Sequence, residues 1–497
     1  MVADIAFWLP LIILVPLLAA IGAFLFPRHS FRFAFIGTLV TAAVVFGSTG
    51  LLWQDKEVAR HAVGGWGAPL GIDMVLDGLS MLMLLLTAVI GLAITSYAHG
   101  YFLPKNNSSE SWHQYNYFWP LWLFLWAALN ALFLSGDLFN LYVTLELLGF
   151  SAVALTALVR KPAVLKAAMR YLLVSLSGSL MYLLGVVFLY AGYGTLDIAL
   201  LGAVATNTPE LVAAAALITV GLVMKTALFP FHFWLPPAHA NAAAPVSALL
   251  SALVVKGSFY ILLRVWLVAL HPLADTFIPQ LLSGLGMAAI IWGSLQAMRQ
   301  TQLKMLVAYS TVAQLGYLFL LIPLLLRGRG DDIAPLAGIV IFLSAHALAK
   351  AAAFLSAGNL LYAVGEDRLS SLDGLTRKMP LTLAAFGVAG VSLIALPPSG
   401  GFIAKWLMLN VALEHGYWWL MIVVIGGGLM AAVYIMRVMS HLFLEARGHK
   451  SDVKPLPLCM SWPPFGLAVL AILLVFTGVL VTDMLVIGAP WLLEVAP

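Results

Sequence analysis

Residues 225–264 read KTALFPFHFWLPPAHANAAAPVSALLSALVVKGSFYILLR and contain two lysines in mostly apolar surroundings. The first part of this stretch has three prolines within eight residues. Proline removes a backbone donor and clashes with the preceding helical turn. The part that starts at Pro245 is an apolar run long enough to cross a bilayer as one helix. The stretch therefore predicts a helix that breaks after Lys225 and a second, intact helix that contains Lys256.

The composition of the whole chain is that of a membrane protein. Of its 497 residues, 63% are hydrophobic and 9% are charged, and the mean hydropathy is +1.02. Soluble domains have about 45–50% apolar and about 25% charged residues. The apolar runs predict an all-α polytopic protein with about 14 transmembrane helices, over residues 4–26, 31–53, 76–98, 115–134, 136–158, 165–193, 210–229, 245–269, 276–297, 303–325, 335–361, 381–411, 415–444 and 462–486.

The basic residues predict the orientation of the chain. With these spans, 16 lysines and arginines, Lys304 among them, fall on one side of the membrane and four on the other. Because Lys and Arg accumulate in cytoplasmic loops, both termini are expected on the outer side of a bacterial or archaeal cell (inner) membrane. No Lys or Arg precedes the first apolar run, which is therefore expected to be a membrane helix rather than a cleaved signal peptide.

Several functional classes are disfavoured by the residue types. The single cysteine, Cys459, excludes an intramolecular disulfide and a cysteine-ligated metal or iron–sulfur site built from this chain alone. His232 and His239 are seven residues apart with prolines between them, which does not fit a pair of metal or haem ligands on one helix. No basic or aromatic–basic run indicates nucleic-acid binding. We expect no cofactor, no metal site and no catalytic activity from the chain alone.

A small set of ionisable residues lies inside the predicted helices, where a charge costs about 2.5–3.5 kcal/mol at the bilayer centre. The acidic member, Glu146, lies nine residues after Asp137, roughly 14 Å along its helix. The basic members are Lys225, Lys256, Arg264, Lys350 and Lys405. Each charge could be a structural pin with a neighbouring partner. A row of such groups on several helices instead indicates an ion or proton path.

The members of this set have different expected roles. Arginine does not release a proton, and Arg264 is close to a helix end, so an interfacial anchor is expected there. His346 and Lys350 are four residues apart in SAHALAK, share one helix face and are expected to form a relay. In LPPSGGFIAKW, residues 396–406, a second break precedes Lys405. Interrupted helices in the two halves of a transporter point to its ion path, although a simple proline kink with a packing role is the alternative.

These segments, with GDLFNLYVTLELLGFSAVAL (136–155) and KMLVAYSTVAQLGY (304–317), resemble the antiporter-like, proton-translocating subunits shared by respiratory complex I and Mrp-type cation/proton antiporters. The resemblance covers about 130–410. It implies two inverted five-helix repeats with broken helices 7 and 12. The implied organisation is helices 1–3 over 1–114, the first repeat over 115–269, the second repeat over 276–444 and a C-terminal helix over 445–497.

The resemblance also implies a Glu146–Lys225 pair and a proton pathway that continues through Lys256, His346 and Lys350 to Lys405. Asp137, His232 and His239 are possible accessory residues. The implied partners are other hydrophobic subunits of a membrane complex, the lipid bilayer, protons and, as an open question, Na+.

The sequence leaves three functions open for this chain. The preferred one is the D-type subunit of a multi-subunit Na+/H+ antiporter of Mrp type. The complex I L-type and Mrp A-type subunits are disfavoured, since they continue past helix 14 whereas the given sequence ends at Pro497. The first alternative is a proton-pumping membrane-arm subunit of complex I or a related hydrogenase complex, and thus part of a complex resembling NADH:quinone oxidoreductase. The second is a non-conducting structural subunit.

Overall fold

The computed structural model describes residues 5–103, 109–328, 332–443 and 454–489. Among these residues, 13 helices are long and apolar enough to cross a membrane. The remaining predicted span, 381–411, is divided into two helices of 15 residues each. The predicted helical membrane fold is thus confirmed. Four basic residues that entered the orientation argument lie outside the described residues: Lys105, Arg329, Arg447 and Lys450.

We number the crossing segments in chain order. They are α1 Ile5–Leu25, α2 Pro27–Asp55, α3 Gly78–Phe102, α4 Ser109–Leu134, α5 Leu138–Val159, α6 Pro162–Tyr193, α7 Pro209–Asn241, α8 Ala244–Leu267, α9 Phe277–Arg299, α10 Leu303–Arg327, α11 Ala334–Val364, α12 Pro380–Ile394 with Gly400–Glu414, α13 Trp419–Phe443 and α14 Leu458–Val486.

The break in α7 follows the lysine that the sequence placed before it. Regular α-helix ends at Thr226, Ala227 takes a left-handed conformation with φ of 59°, and the chain resumes as a 3-10 turn over Phe231–Trp234. The indole of Trp234 donates to the carbonyl of Met224 at 3.0 Å. A carbonyl at the end of the first half-helix is thereby satisfied within the protein, as the membrane interior requires.

The break in α12 resembles the break in α7, except that the buried lysine follows the break instead of preceding it. The first half-helix ends at Ile394, Ala395 is left-handed with φ of 72°, and the second half begins at Gly400. The side chain of Gln314 from α10 donates to the carbonyl of Leu393 at 3.2 Å. The side chain of Ser399 accepts the amide of Phe402 at 3.1 Å and caps the second half.

The most buried crossing segments are α8 and α11, which carry the central lysines. Every one of the 18 most apolar consecutive residues of α8 is buried, whereas 44% of the corresponding residues of α6 and 33% of those of α13 are buried. Within α8, residues Leu250–Val254 form a π-helical turn just before Lys256. Such turns are rare and frequently occur at functional sites. A lysine on α8 is therefore surrounded by protein rather than by lipid.

Two elements in the loops were not predicted from the sequence. Strands β1 (Ala59–Ala62) and β2 (Asp73–Leu76) form an antiparallel hairpin between α2 and α3. A short helix, Ile198–Val204, lies between α6 and α7. The strands are four residues long and lack a clear alternation of apolar and polar residues, so periodicity could not reveal them.

Candidate proton pathway

The predicted contact between Glu146 and Lys225 is present. The ammonium of Lys225 lies 3.0 Å from Oε1 of Glu146, and the side chains are 6% and 15% exposed respectively. Glu146 projects from the middle of α5, and Lys225 from the last turn before the break in α7. The hydroxyl of Ser179 on α6 also donates to Oε1 of Glu146. One carboxylate oxygen therefore receives a charged and a neutral donor from two different helices.

Small residues make room for this pair. A methyl group on Gly149 would lie 3.7 Å from Nζ of Lys225 and 2.9 Å from the hydroxyl of Ser175. One on Gly178 would lie 2.8 Å from the carbonyl oxygen of Gly221, which is closer than real Cβ contacts. The close approach of α6 and α7 at Gly178 and Gly221 therefore fixes where Lys225 emerges.

Lys256, on α8, is fully buried, and its ammonium donates to the carbonyl of Ser251 inside the π-helical turn. No acidic side chain forms an ion pair with it among the residues that the structure describes. An uncompensated charge in such a place is costly. Its bond to a carbonyl dipole makes it a candidate for gaining and losing a proton.

Lys350, on α11, is also fully buried and contacts α10. Its ammonium donates to the carbonyl of Val307 at 3.1 Å and to the hydroxyl of Ser310. His346 lies one turn earlier on the same helix, 2% exposed, with its ring stacked on Phe342 at 6.1 Å. Neither ring nitrogen of His346 has a hydrogen-bond partner among the described residues. This histidine is thus poised beside Lys350 but not bonded to it.

Lys405 lies in the second half of α12 and is 5% exposed. Its ammonium has no hydrogen-bond partner in the described part of the chain. It lies 4.2 Å from the centre of the Tyr317 ring on α10, within the range of a cation–π contact. Of the buried lysines in the predicted set, this one alone has no hydrogen-bond partner among the described residues.

The three accessory residues differ in position. His239, at the end of α7, is fully buried, has no hydrogen-bond partner on either ring nitrogen among the described residues, and lies within electrostatic reach of Lys256, Lys304 and Lys350. His232 lies in the break of α7, stacked on Phe229 at 5.6 Å.

Asp137 is the N-cap of α5, where it accepts the amide of Asn140 at 2.8 Å. Burial raises the pKa of the Asp137 carboxyl above its ordinary value, with a smaller contribution from Asp197. Its position at the start of the helix is explained by capping.

Lys304, which the charge count assigned to the basic side of the membrane, is buried. Lys304 is 3% exposed in the first turn of α10, and its ammonium donates to the carbonyl of Ala242 between α7 and α8. Its backbone amide donates to Asp367 at 3.1 Å. Hydropathy placed it at a helix boundary, and only the fold of the α7–α8 connection covers it. It extends the set of buried lysines by one.

The interpretation of Arg264 as an interfacial anchor is wrong. Both terminal nitrogens of its guanidinium donate to the carboxylate of Asp77, and Nε donates to the hydroxyl of Tyr260 at 3.0 Å. Asp77 is 5% exposed in its side chain and caps α3 with Ser80. The sequence offered no partner for Arg264 because Asp77 is 187 positions away. A cavity of about 760 Å³ borders this pair.

The buried site residues thus lie on five helices, Glu146 on α5, Lys225 on α7, Lys256 on α8, Lys350 on α11 and Lys405 on α12. Among the described residues, no group of three or more His, Cys, Asp or Glu side chains is arranged to hold a metal ion. Chemically, these residues are titratable groups with different kinds of partner.

Comparison with known proteins gives a consistent result. A family model described as NADH:quinone oxidoreductase/Mrp antiporter, TM, matches residues 135–431. The N subunit of the NADH-quinone oxidoreductase of Desulforudis audaxviator is 36% identical over 448 residues, 88% of this chain and 86% of that protein. The D-type subunit of the Na(+)/H(+) antiporter of Bacillus subtilis is 28% identical over 438 residues, 87% of this chain and 86% of that protein.

Among solved structures, a chain of the Mrp complex from Dietzia sp. superposes with a TM-score of 0.87 at 25% identity, covering 98% of this chain and 97% of that one. The matched family segment contains every predicted site residue from Glu146 to Lys405. The chain is a multi-pass membrane protein that belongs to the NADH:quinone oxidoreductase/Mrp antiporter transmembrane family.

Proposed function

We propose that this chain is the proton-translocating membrane subunit of a multi-subunit cation/proton antiporter of Mrp type. The observation that carries the proposal is the buried Glu146–Lys225 pair, 3.0 Å apart, at the head of a row of further buried lysines. A scaffold would not need these charges, because apolar residues stabilise a membrane bundle at least as well as buried ion pairs do. The resemblance to D-type antiporter subunits supports the same function.

The proposed route starts at Glu146 and Lys225 and passes Lys256. It continues along α11 at His346 and Lys350 and leaves through Lys405 in the second half of α12. Each transfer moves a proton between groups on neighbouring helices. Asp137, His232 and His239 are accessory to this route. Both half-helix breaks lie beside it, where internal water can satisfy freed backbone groups.

The coupling element is the side chain of Lys225. In the described conformation its ammonium contacts Glu146, and the alternative conformation turns it toward Lys256. When another site of the complex changes the charge near Glu146, the ion pair weakens and Lys225 releases its proton inward. Such a switch needs two arrangements of one side chain, with the partner of each arrangement defined.

The experiment is ΔpH-driven exchange in membrane vesicles that contain the whole complex. Wild-type vesicles should dissipate an imposed ΔpH when Na+ is added, and Lys225→Ala vesicles with equal amounts of complex should not. Exchange by Lys225→Ala at the wild-type rate would contradict the proposed function.

The chain is proposed to work only as one subunit beside other hydrophobic subunits, because it has no source of driving energy of its own. Purified alone and placed in liposomes, it should be silent or merely leak protons. Full cation/proton exchange by the single chain would overturn this part of the proposal.

A second candidate function is a proton-pumping subunit of a redox-driven complex. The observation that favours it is the relative from an NADH-quinone oxidoreductase, its N subunit, at 36% identity. Purification of the intact complex distinguishes the two candidates. Redox subunits among the partners indicate the second function, whereas small multi-helix subunits alone indicate the antiporter.

The proposed organisation is two inverted repeats, 115–269 and 276–444, with both termini outside. Its support is the opposite order of lysine and break in α7 and α12. The single native cysteine allows a clean test of orientation. After Cys459→Ser, a cysteine introduced at Arg60 should react with an impermeant maleimide from outside, and one introduced at Arg368 only from inside.

A further inference from the structure

Two pairs of buried hydroxyl groups lie along the row of lysines, and the route above does not use them. Thr226 donates to Ser258 at 2.9 Å, beside Lys225 and Lys256 respectively. Ser251 and Thr311 are hydrogen-bonded hydroxyl to hydroxyl, also at 2.9 Å. All four side chains are no more than 1% exposed.

The Ser251–Thr311 pair joins the surroundings of two lysines. Ser251 belongs to the π-helical turn of α8, and its carbonyl accepts the ammonium of Lys256. The hydroxyl of Thr311 also lies 3.1 Å from the carbonyl oxygen of Val307, which accepts the ammonium of Lys350 at 3.1 Å. The carbonyl of Val307 therefore brings Thr311, the partner of Ser251, beside Lys350.

The Thr226–Ser258 pair has a similar position between the first two lysines. A cavity of about 10 Å³ beside it is lined by Lys225 and Ser258, with Ser175 and Tyr171. This volume has room for about one water molecule, and the polar groups of the lining are the partners that a single water needs. The hydroxyl of Ser258 on α8 therefore borders the same cavity as Lys225.

A hydroxyl group is both donor and acceptor, so it takes a proton on one lone pair while it releases the one it held. Backbone carbonyls, which accept the ammonium groups of Lys256 and Lys350, cannot donate a proton. We propose that the two hydroxyl pairs carry protons between consecutive lysines, an inference that rests on the function proposed above. Apolar isosteres at these positions then interrupt the path without changing the shape of the core.

The step between Lys256 and Lys350 is balanced as follows. The Lys256 ammonium turns from the carbonyl to the hydroxyl of Ser251, an N–H bond breaks as its proton binds that hydroxyl oxygen, and the former hydroxyl proton of Ser251 passes to Thr311. Thr311 turns its own hydroxyl proton from the carbonyl of Val307 to the neutral amine of Lys350, where a new N–H bond forms. Each hydroxyl ends with one proton, and no electrons are transferred.

Thr311→Val and Thr311→Ser provide the test, in vesicles that contain the whole complex. The valine variant keeps the side-chain volume and lacks the hydroxyl, whereas the serine variant keeps the hydroxyl. Thr87→Val is the matched control, because Thr87 is fully buried and donates to the carbonyl of Met83 on its own helix at 2.8 Å.

We expect exchange by Thr311→Val to fall about hundredfold, the low end for loss of a positioned proton-transfer group. Thr311→Ser and Thr87→Val should remain within about twofold of wild type on the same reasoning. Residual exchange in the valine variant should also show a larger slowing in deuterated water. Exchange by Thr311→Val at the wild-type rate overturns the inference, as does an equal loss in Thr311→Ser, which indicates a packing role.

Lys256→Ala separates failure of this inference from failure of the proposed function. If Lys256→Ala abolishes exchange and Thr311→Val does not, the hydroxyl path is wrong and the lysine route stands. If both variants exchange at the wild-type rate, the proposed function itself fails. Should Thr311→Val not assemble, Ser251→Ala removes the other hydroxyl of the same pair, with Ser48→Ala as its buried control, and carries the same expected results.

Discussion

Replacement of Glu146 by glutamine tests the entry of the proposed pathway most directly. The glutamine keeps the size of the side chain and an oxygen that can accept from Lys225, but it removes the negative charge. Lys225 is 6% exposed, so its ammonium then has no counter-ion in a buried place. We expect its charged form to become much rarer and exchange to slow accordingly.

The magnitude follows from the burial of the pair. Removal of one partner from a buried ion pair costs about 3–5 kcal/mol. Because Glu146 is 15% exposed, water offsets part of this loss, and about 3 kcal/mol is the appropriate end of that range. Since every 1.4 kcal/mol is tenfold, the equilibrium between the charged and neutral forms of Lys225 should shift about hundredfold, and the rate that depends on the charged form should fall by up to that factor.

The assay is Na+-driven dissipation of ΔpH in vesicles with equal amounts of assembled complex. Glu146→Asp, which keeps the charge, should retain measurable exchange. Glu210→Gln is the matched control, because Glu210 is an exposed carboxylate in the first turn of α7. The reasoning is refuted if Glu146→Gln exchanges at the wild-type rate, or if Glu210→Gln loses as much.

Three further changes have defined outcomes. Lys405→Ala should slow exchange at least about tenfold. Assembly of the complex should be unchanged, because the substitution leaves no hydrogen-bond partner unpaired. Lys405→Glu should restore part of the lost exchange rate. Gly178→Ala should lower the free energy of unfolding by about 1–3 kcal/mol in thermal melts, because its methyl group meets the backbone of Gly221, whereas Gly192→Ala, with nothing within 4 Å, should not. Arg264→Gln should destabilise by about 3–5 kcal/mol because it leaves Asp77 buried and unpaired, and a second change, Asp77→Asn, should restore much of the loss.

The sequence predicts the membrane helices well because lipid imposes a simple rule. A crossing segment must be apolar over about 20 residues, so hydropathy alone locates α1 to α14. The breaks in α7 and α12 are equally visible, since proline and glycine have local effects on the backbone. Local rules of this kind need no knowledge of which helices are neighbours.

The partners of the site residues could not be read in the same way. Ser179, Thr311 and Asp77 lie on different helices from the residues they contact, and serine and threonine are common inside membrane helices, where they bond their own backbone. Thr87 and Thr311 look alike in sequence, and only the packing of α10 against α8 distinguishes them. Lys304 was expected at the boundary of a helix, but in the structure the turn around Ala242 covers it and its side chain is buried.

The partners of the lysines differ in kind along the proposed route. Lys225 has a carboxylate at 3.0 Å. Lys256 and Lys350 have carbonyl and hydroxyl oxygens, and hydrogen bonds to a charged group contribute about 1.5–3 kcal/mol. Lys405 has only the face of Tyr317 at 4.2 Å, a contact that contributes about 0.5–2 kcal/mol. Release of a proton at Lys405 therefore breaks no hydrogen bond among the described residues, whereas release at Lys225 breaks a bond to a carboxylate.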